Sequence, residues 1–99
     1  MIEVTDEKIL TNEKTSFLYI YTPFCGTCQL AGKMLNAIEL MDEKQTFYAM
    51  NASLFPNYMQ EHKIESVPCL AIIVEGSIRE KIYAFRSVPY LLDKIHAYK

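Results

Sequence analysis

Three cysteines carry most of the chemical potential of this chain, and two of them stand together as Cys25-Gly26-Thr27-Cys28. The third, Cys69, directly follows Pro68. A thiol pair two residues apart suits thiol–disulfide exchange, because both sulfurs fall on one side of a helix's first turn. The attacking species must be a thiolate. Unpaired N–H groups and the partial positive charge at a helix start stabilise an anion there. Cys25, at the mouth of such a helix, is expected to have a lowered pKa and to act as nucleophile. Cys28, one turn inward, is expected to resolve the mixed disulfide that Cys25 forms. Gly26 keeps the approach to the first sulfur open. Two other uses of the pair stay open on spacing alone. One is a pair of buried, inert thiols. The other is half of a zinc site, completed by His62 and Cys69, although no second Cys-x-x-Cys is present.

The elements that must hold this pair can be read around it. Phe17-Leu18-Tyr19-Ile20-Tyr21 is a continuous apolar run, the pattern of a strand covered on both faces. Thr22-Pro23 ends it. Ala31, Met34, Leu35, Ile38 and Met41 then recur at three- and four-residue steps, an amphipathic helix with Gln29, Lys33, Asn36 and Glu43 opposite. The cysteine pair therefore lies where a buried strand gives way to a helix. An edge strand is expected at residues 2–4 and a short helix at 5–10, capped by Thr5 or Asp6. Further buried strands are expected at 46–50 and 69–74. Pro56 opens a helix through Tyr58, Met59 and His62. Glu75-Gly76-Ser77 makes a hairpin turn, and a charged edge strand returns over Arg79–Phe85. Ser87 caps a last helix with Val88, Leu91, Leu92 and Ile95 along one stripe. Strands separated by helices imply parallel crossovers, and the hairpin adds antiparallel pairing. The expectation is an α/β fold: a central mixed sheet of four to five strands with helices on both faces, residues 1–99 forming one domain.

Composition narrows the function. The chain has 99 residues, 51% hydrophobic and 22% charged, with a formal net charge of −2. That balance belongs to a globular chain and excludes disordered or fibrous classes. No basic field exists to hold a phosphate backbone, so nucleic acid is not expected as a partner. No apolar run reaches the ~18 residues of a membrane span. Three cysteines are too few, and odd in number, for a secreted disulfide scaffold. The acidic N-terminus shows no cationic-then-apolar leader, so a cytoplasmic location is expected.

At Phe24-Cys25-Gly26-Thr27-Cys28, with Val67-Pro68 about forty residues on and entering a strand, the chain resembles the thioredoxin family. The resemblance extends over essentially the whole length and implies the thioredoxin fold. It implies a protein-disulfide oxidoreductase with no bound cofactor or metal, acting as a monomer on disulfide-containing protein substrates and re-reduced by a separate reductase. It puts a cis proline at Pro68, facing the disulfide, and gives the Val67 backbone the task of pairing with a bound peptide. Phe24 stands where the family usually has tryptophan and offers an apolar lip. Thr27 replaces the family's proline and adds a hydroxyl able to bond a thiolate. Tyr19 aligns with the family's buried aspartate, Ala49 with its lysine, Cys69 with its threonine and Ala84 with a late glycine. Tyr19 is expected to be a packed core residue, since a phenol titrating near pH 10 is a poor base at neutrality. Cys69, alternating in direction from Pro68 along a strand, is expected to face a core and stay inert. His62 and His96 are expected on helix surfaces, and Asn51 at a cap or turn.

Overall fold

The computed structural model describes residues 1–99 as a five-stranded mixed sheet between two layers of helix. The strands are β1 (Ile2–Glu3), β2 (Thr15–Tyr21), β3 (Tyr48–Asn51), β4 (Cys69–Val74) and β5 (Ser77–Ile82). The helices are α1 (Gly26–Met41), α2 (Pro56–Glu61) and α3 (Val88–His96), with 3-10 turns at Glu7–Thr11 and Ala52–Leu54. The strand order is β1-β3-β2-β4-β5. β3 runs parallel to both β1 and β2, whereas β4 is antiparallel to β2 and β5. The helical crossovers and the hairpin expected from the sequence account for both kinds of pairing.

β2 is the hub. Residues 16–20 are all buried, which is why its apolar character is continuous rather than alternating. Its odd positions, Phe17 and Tyr19, join Ala31, Leu35 and Ile38 of α1 and Leu91 and Ile95 of α3 in one core. Its even positions, Leu18 and Ile20, join Tyr58 of α2, Leu10 and the Cys69-Ala71-Ile73 face of β4 in a second core. The two cores lie on opposite faces of the sheet, as period-two alternation requires.

Caps set the element boundaries. Asp6 Oδ1 accepts from the Lys8 N–H at 3.0 Å and opens the first 3-10 turn. Asn51 Oδ1 accepts from Ser53 N–H at 3.0 Å. Ser87 Oγ accepts from Tyr90 N–H at 3.2 Å and starts α3. Pro56 sits in the first turn of α2, where its missing N–H costs nothing.

Several boundaries differ from the sequence reading. The edge strand expected at 2–4 ends at Glu3, and the strand expected at 46–50 is β3, Tyr48–Asn51. The short helix expected at 5–10 is a 3-10 turn at Glu7–Thr11. Met41 does not belong to the buried face: burial along α1 stops at Ile38, and Leu40 and Met41 are exposed. Periodicity gives a side chain's rotational phase, not whether a partner reaches that far along the axis. α2 ends at Glu61, so His62 stands just beyond it, its ring 4.1 Å from that of Tyr58. β5 covers Ser77–Ile82 rather than reaching Phe85. Ile82 pairs with Leu70, near the start of β4. Behind Cys69 stands Pro68, which has no N–H to extend the ladder. Residues 83–86 therefore leave the sheet.

Candidate redox site

β2 ends at Tyr21, and Thr22-Pro23-Phe24 leads directly into α1. Cys25 is the cap residue of α1, with extended backbone (φ −121°, ψ 108°). Its Sγ accepts from the Cys28 N–H at 3.1 Å, so the sulfur occupies the place a capping oxygen would take. Thr27 Oγ1 lies 3.3 Å from the same sulfur. Cys25 and Cys28 are joined as a disulfide, with Cα atoms 5.1 Å apart. A disulfide sulfur carries no hydrogen, so the Thr27 hydroxyl is the donor in that contact. Cys28 is 2% exposed, whereas Cys25 is partly exposed. Only the Cys25 sulfur is accessible to an incoming group. A β-carbon built on Gly26 would meet nothing within 4 Å, which leaves open space beside the first helical residue.

The sheet register brings the second half of the site to the first. Cys69 pairs with Ile20, so the preceding Pro68 falls level with the end of β2, just before the cysteine pair. The Val67–Pro68 peptide is cis. Pro68 and Thr27 share the wall of an open groove of about 330 Å³, with Leu30 and Met34 of α1 and Phe85 beyond β5. Val67 packs instead against the core on the α2 side. Phe24 projects fully into solvent (101% exposed).

Beneath the disulfide, Tyr19 is buried (6% exposed) and donates its hydroxyl to the Cys28 carbonyl. Its ring stacks on Tyr21 at 5.4 Å and meets Phe85 edge-on at 6.4 Å. Burial raises its pKa above the ordinary phenol value, so the hydroxyl stays protonated at neutrality. Tyr19 is thus a core residue, as the sequence implied, but one with a polar end anchored at the redox turn. The residue that makes room for it is Gly32. A β-carbon there would stand 3.3 Å from the Tyr19 hydroxyl oxygen. The sequence signal was a glycine in the middle of an amphipathic helix, where alanine is the better helix former. Cys69 is fully buried among Leu18, Ile20 and Tyr58, and burial pushes its thiol up to about 12. It faces the core on the far side of the sheet. No group of three or more His, Cys, Asp or Glu side chains has the geometry to hold a metal ion. Leu30 and Phe85 as walls of the groove escaped the sequence reading, because helical period does not reveal that the Leu30 edge of α1 stays uncovered, and Phe85 has the pattern of a strand residue.

Residues 3–97 match the family model described as Thioredoxin. The chain belongs to the thioredoxin family. It is 47% identical over 78 residues to the thioredoxin-like protein YusE of Bacillus subtilis, a stretch covering 79% of this chain and 74% of that protein. Among solved structures, a mutant thioredoxin from Halobacterium salinarum superposes with a TM-score of 0.82 at 16% identity, covering 98% of this chain and 88% of the other. Oxidised mitochondrial thioredoxin 3 of Saccharomyces cerevisiae gives 0.81 at 15% identity, covering 98% and 94%. At these identities the superpositions establish the thioredoxin fold. No helix is long and apolar enough to cross a membrane.

Proposed function

We propose that this chain is a single-domain, monomeric thiol–disulfide oxidoreductase that reduces protein disulfides through Cys25 and Cys28. The observation that carries the reading is the Cys25 sulfur acting as the cap of α1, within 3.1 Å of the Cys28 N–H. In the reduced protein the same N–H would favour a thiolate at Cys25. That thiolate attacks one sulfur of a partner's disulfide. The partner's S–S bond breaks, its other sulfur leaves as a thiolate and takes a proton from water, and a mixed disulfide joins Cys25 to the partner. Cys28 loses its proton and attacks the Cys25 sulfur. The partner leaves with both thiols free, two electrons have passed to it, and Cys25–Cys28 is the oxidised product. A separate dithiol reductase restores the pair. Phe24, Gly26, Thr27 and Pro68, with the Val67 backbone, form the platform on which an extended partner segment lies. The location is cytoplasmic, and no cofactor takes part.

Tyr19 favours a second reading. A phenol held above its usual pKa accepts no proton from Cys28 near neutrality. A protein that binds partners and resolves mixed disulfides poorly would look the same in this respect. Insulin reduction with dithiothreitol as donor decides between them. The oxidoreductase reading expects catalysed precipitation of the insulin B chain, abolished in Cys25→Ser. A wild-type rate no greater than that of the donor alone supports the binding module.

A further inference from the structure

The 330 Å³ groove beside the disulfide has an apolar lining broken by a single charge, Arg86. Leu30, Met34, Pro68 and Phe85 provide the apolar wall, and Leu30 is 60% exposed. Arg86 has a left-handed backbone (φ 58°), a conformation that costs a branched-off side chain energy and that persists where surroundings impose it. Its guanidinium lies 5.0 Å from the centre of the Tyr90 ring, a cation–π contact that holds the charge without neutralising it. None of the three ion pairs of the structure includes Arg86. The groove therefore presents a positioned, unpaired cation next to an apolar slot, on a chain whose net charge is −2.

We infer that this groove selects partner segments in which the disulfide cysteine is flanked by an apolar residue and then an acidic one. The apolar side chain enters the slot between Leu30, Met34 and Phe85, and the carboxylate meets Arg86. The inference rests on the thiol-exchange reading and adds a substrate class to it. An extended segment crossing from Cys25 past Thr27 and Pro68 passes along this wall, since Thr27 and Pro68 line the same groove.

The test uses pre-reduced protein, freed of donor, and two synthetic peptides whose cysteine is blocked as the 2-thiopyridyl disulfide. One carries Leu-Glu beside the cysteine and the other Leu-Lys. Cys25 attacks the peptide sulfur and 2-thiopyridone leaves with a proton. Cys28 then frees the peptide thiol and closes the Cys25–Cys28 bond. Each thiopyridone release rate is divided by the rate with neutral 2,2′-dithiodipyridine, which reports accessible thiol regardless of the groove. The Glu peptide should exceed the Lys peptide by about fivefold at low ionic strength, and the gap should close with added salt. Arg86→Asn, whose side chain tolerates a left-handed backbone, should erase the difference, and Arg86→Lys should retain part of it. A Ser-Glu peptide should lose the advantage of Leu-Glu. Equal normalised rates for the Glu and Lys peptides in the wild type would overturn the selectivity and leave the redox reading standing. Release from neither peptide, in protein that still reacts with 2,2′-dithiodipyridine, would overturn both.

Discussion

At the scale of the residue, position relative to a helix start separates three chemically identical thiols. Cys25 caps α1 and is partly open, Cys28 is enclosed one turn in, and Cys69 lies in a core where burial pushes it up to about 12. At neutral pH Cys69 is therefore a protonated, apolar packing group. Cys69→Ser should lower stability by about 1 kcal/mol, because a buried hydroxyl must find a partner. It should leave insulin reduction within a few-fold of wild type. Loss of turnover without loss of stability would move Cys69 into the redox chemistry. Tyr19 and Gly32 form a second residue-scale unit. Alanine at a helix-interior glycine normally gains about 0.5–1 kcal/mol. Here the new β-carbon would meet the Tyr19 hydroxyl at 3.3 Å, and that hydroxyl is tied to the Cys28 carbonyl. Gly32→Ala should thus destabilise the wild type but stabilise a Tyr19→Phe background. Urea unfolding of the four proteins in one redox state measures the coupling. Simple additivity would show that the hydroxyl is not what holds the glycine in place.

At the scale of the element, the groove wall depends on where β5 stops and α3 begins. A polar clasp fixes that geometry. Lys94 Nζ donates to Glu80 at 2.7 Å, and Tyr98 Oη donates to the other carboxylate oxygen at 2.9 Å. The Lys94 ammonium contact, aided by the Tyr98 hydroxyl, holds the Glu80 pKa below the usual glutamate value. A depressed carboxylate pKa means the folded state holds its proton more weakly than the unfolded chain. The clasp's contribution is full above the ordinary carboxylate range and fades as pH falls through the folded-state value. Glu80→Gln should therefore be less stable than wild type at neutral pH, with the gap narrowing toward about pH 3. Denaturant midpoints at both pH values check this. A gap that widens in acid would assign the stabilisation to something other than the ionised carboxylate.

At the scale of the whole molecule, the fold and the centre of the site were readable for different reasons. The apolar strand at 17–21, the helical stripe through Leu35 and Ile38, and the Gly76 turn each follow from a local period or a backbone requirement, and all three stand in the structure. Cys25 and Cys28 stand three positions apart in sequence, so their pairing needed no tertiary knowledge. The groove was illegible because it joins α1, Pro68 and residues 83–86, which meet only after the sheet forms. Residues 83–85 have the pattern of a strand, and Pro68's missing donor at the start of β4 accounts for their leaving the sheet. Gly32 was visible as an oddity, but its cause, the Tyr19 ring, sits on another element.

The central claim is that Cys25 alone is the attacking thiol. Limiting iodoacetamide added to the fully reduced protein at about pH 7, followed by peptide mass spectrometry, addresses it most directly. The expected result is carboxamidomethylation of Cys25 well ahead of Cys28, with Cys69 unlabelled until the protein is denatured. Equal labelling of Cys25 and Cys28, or early labelling of Cys69, would contradict it.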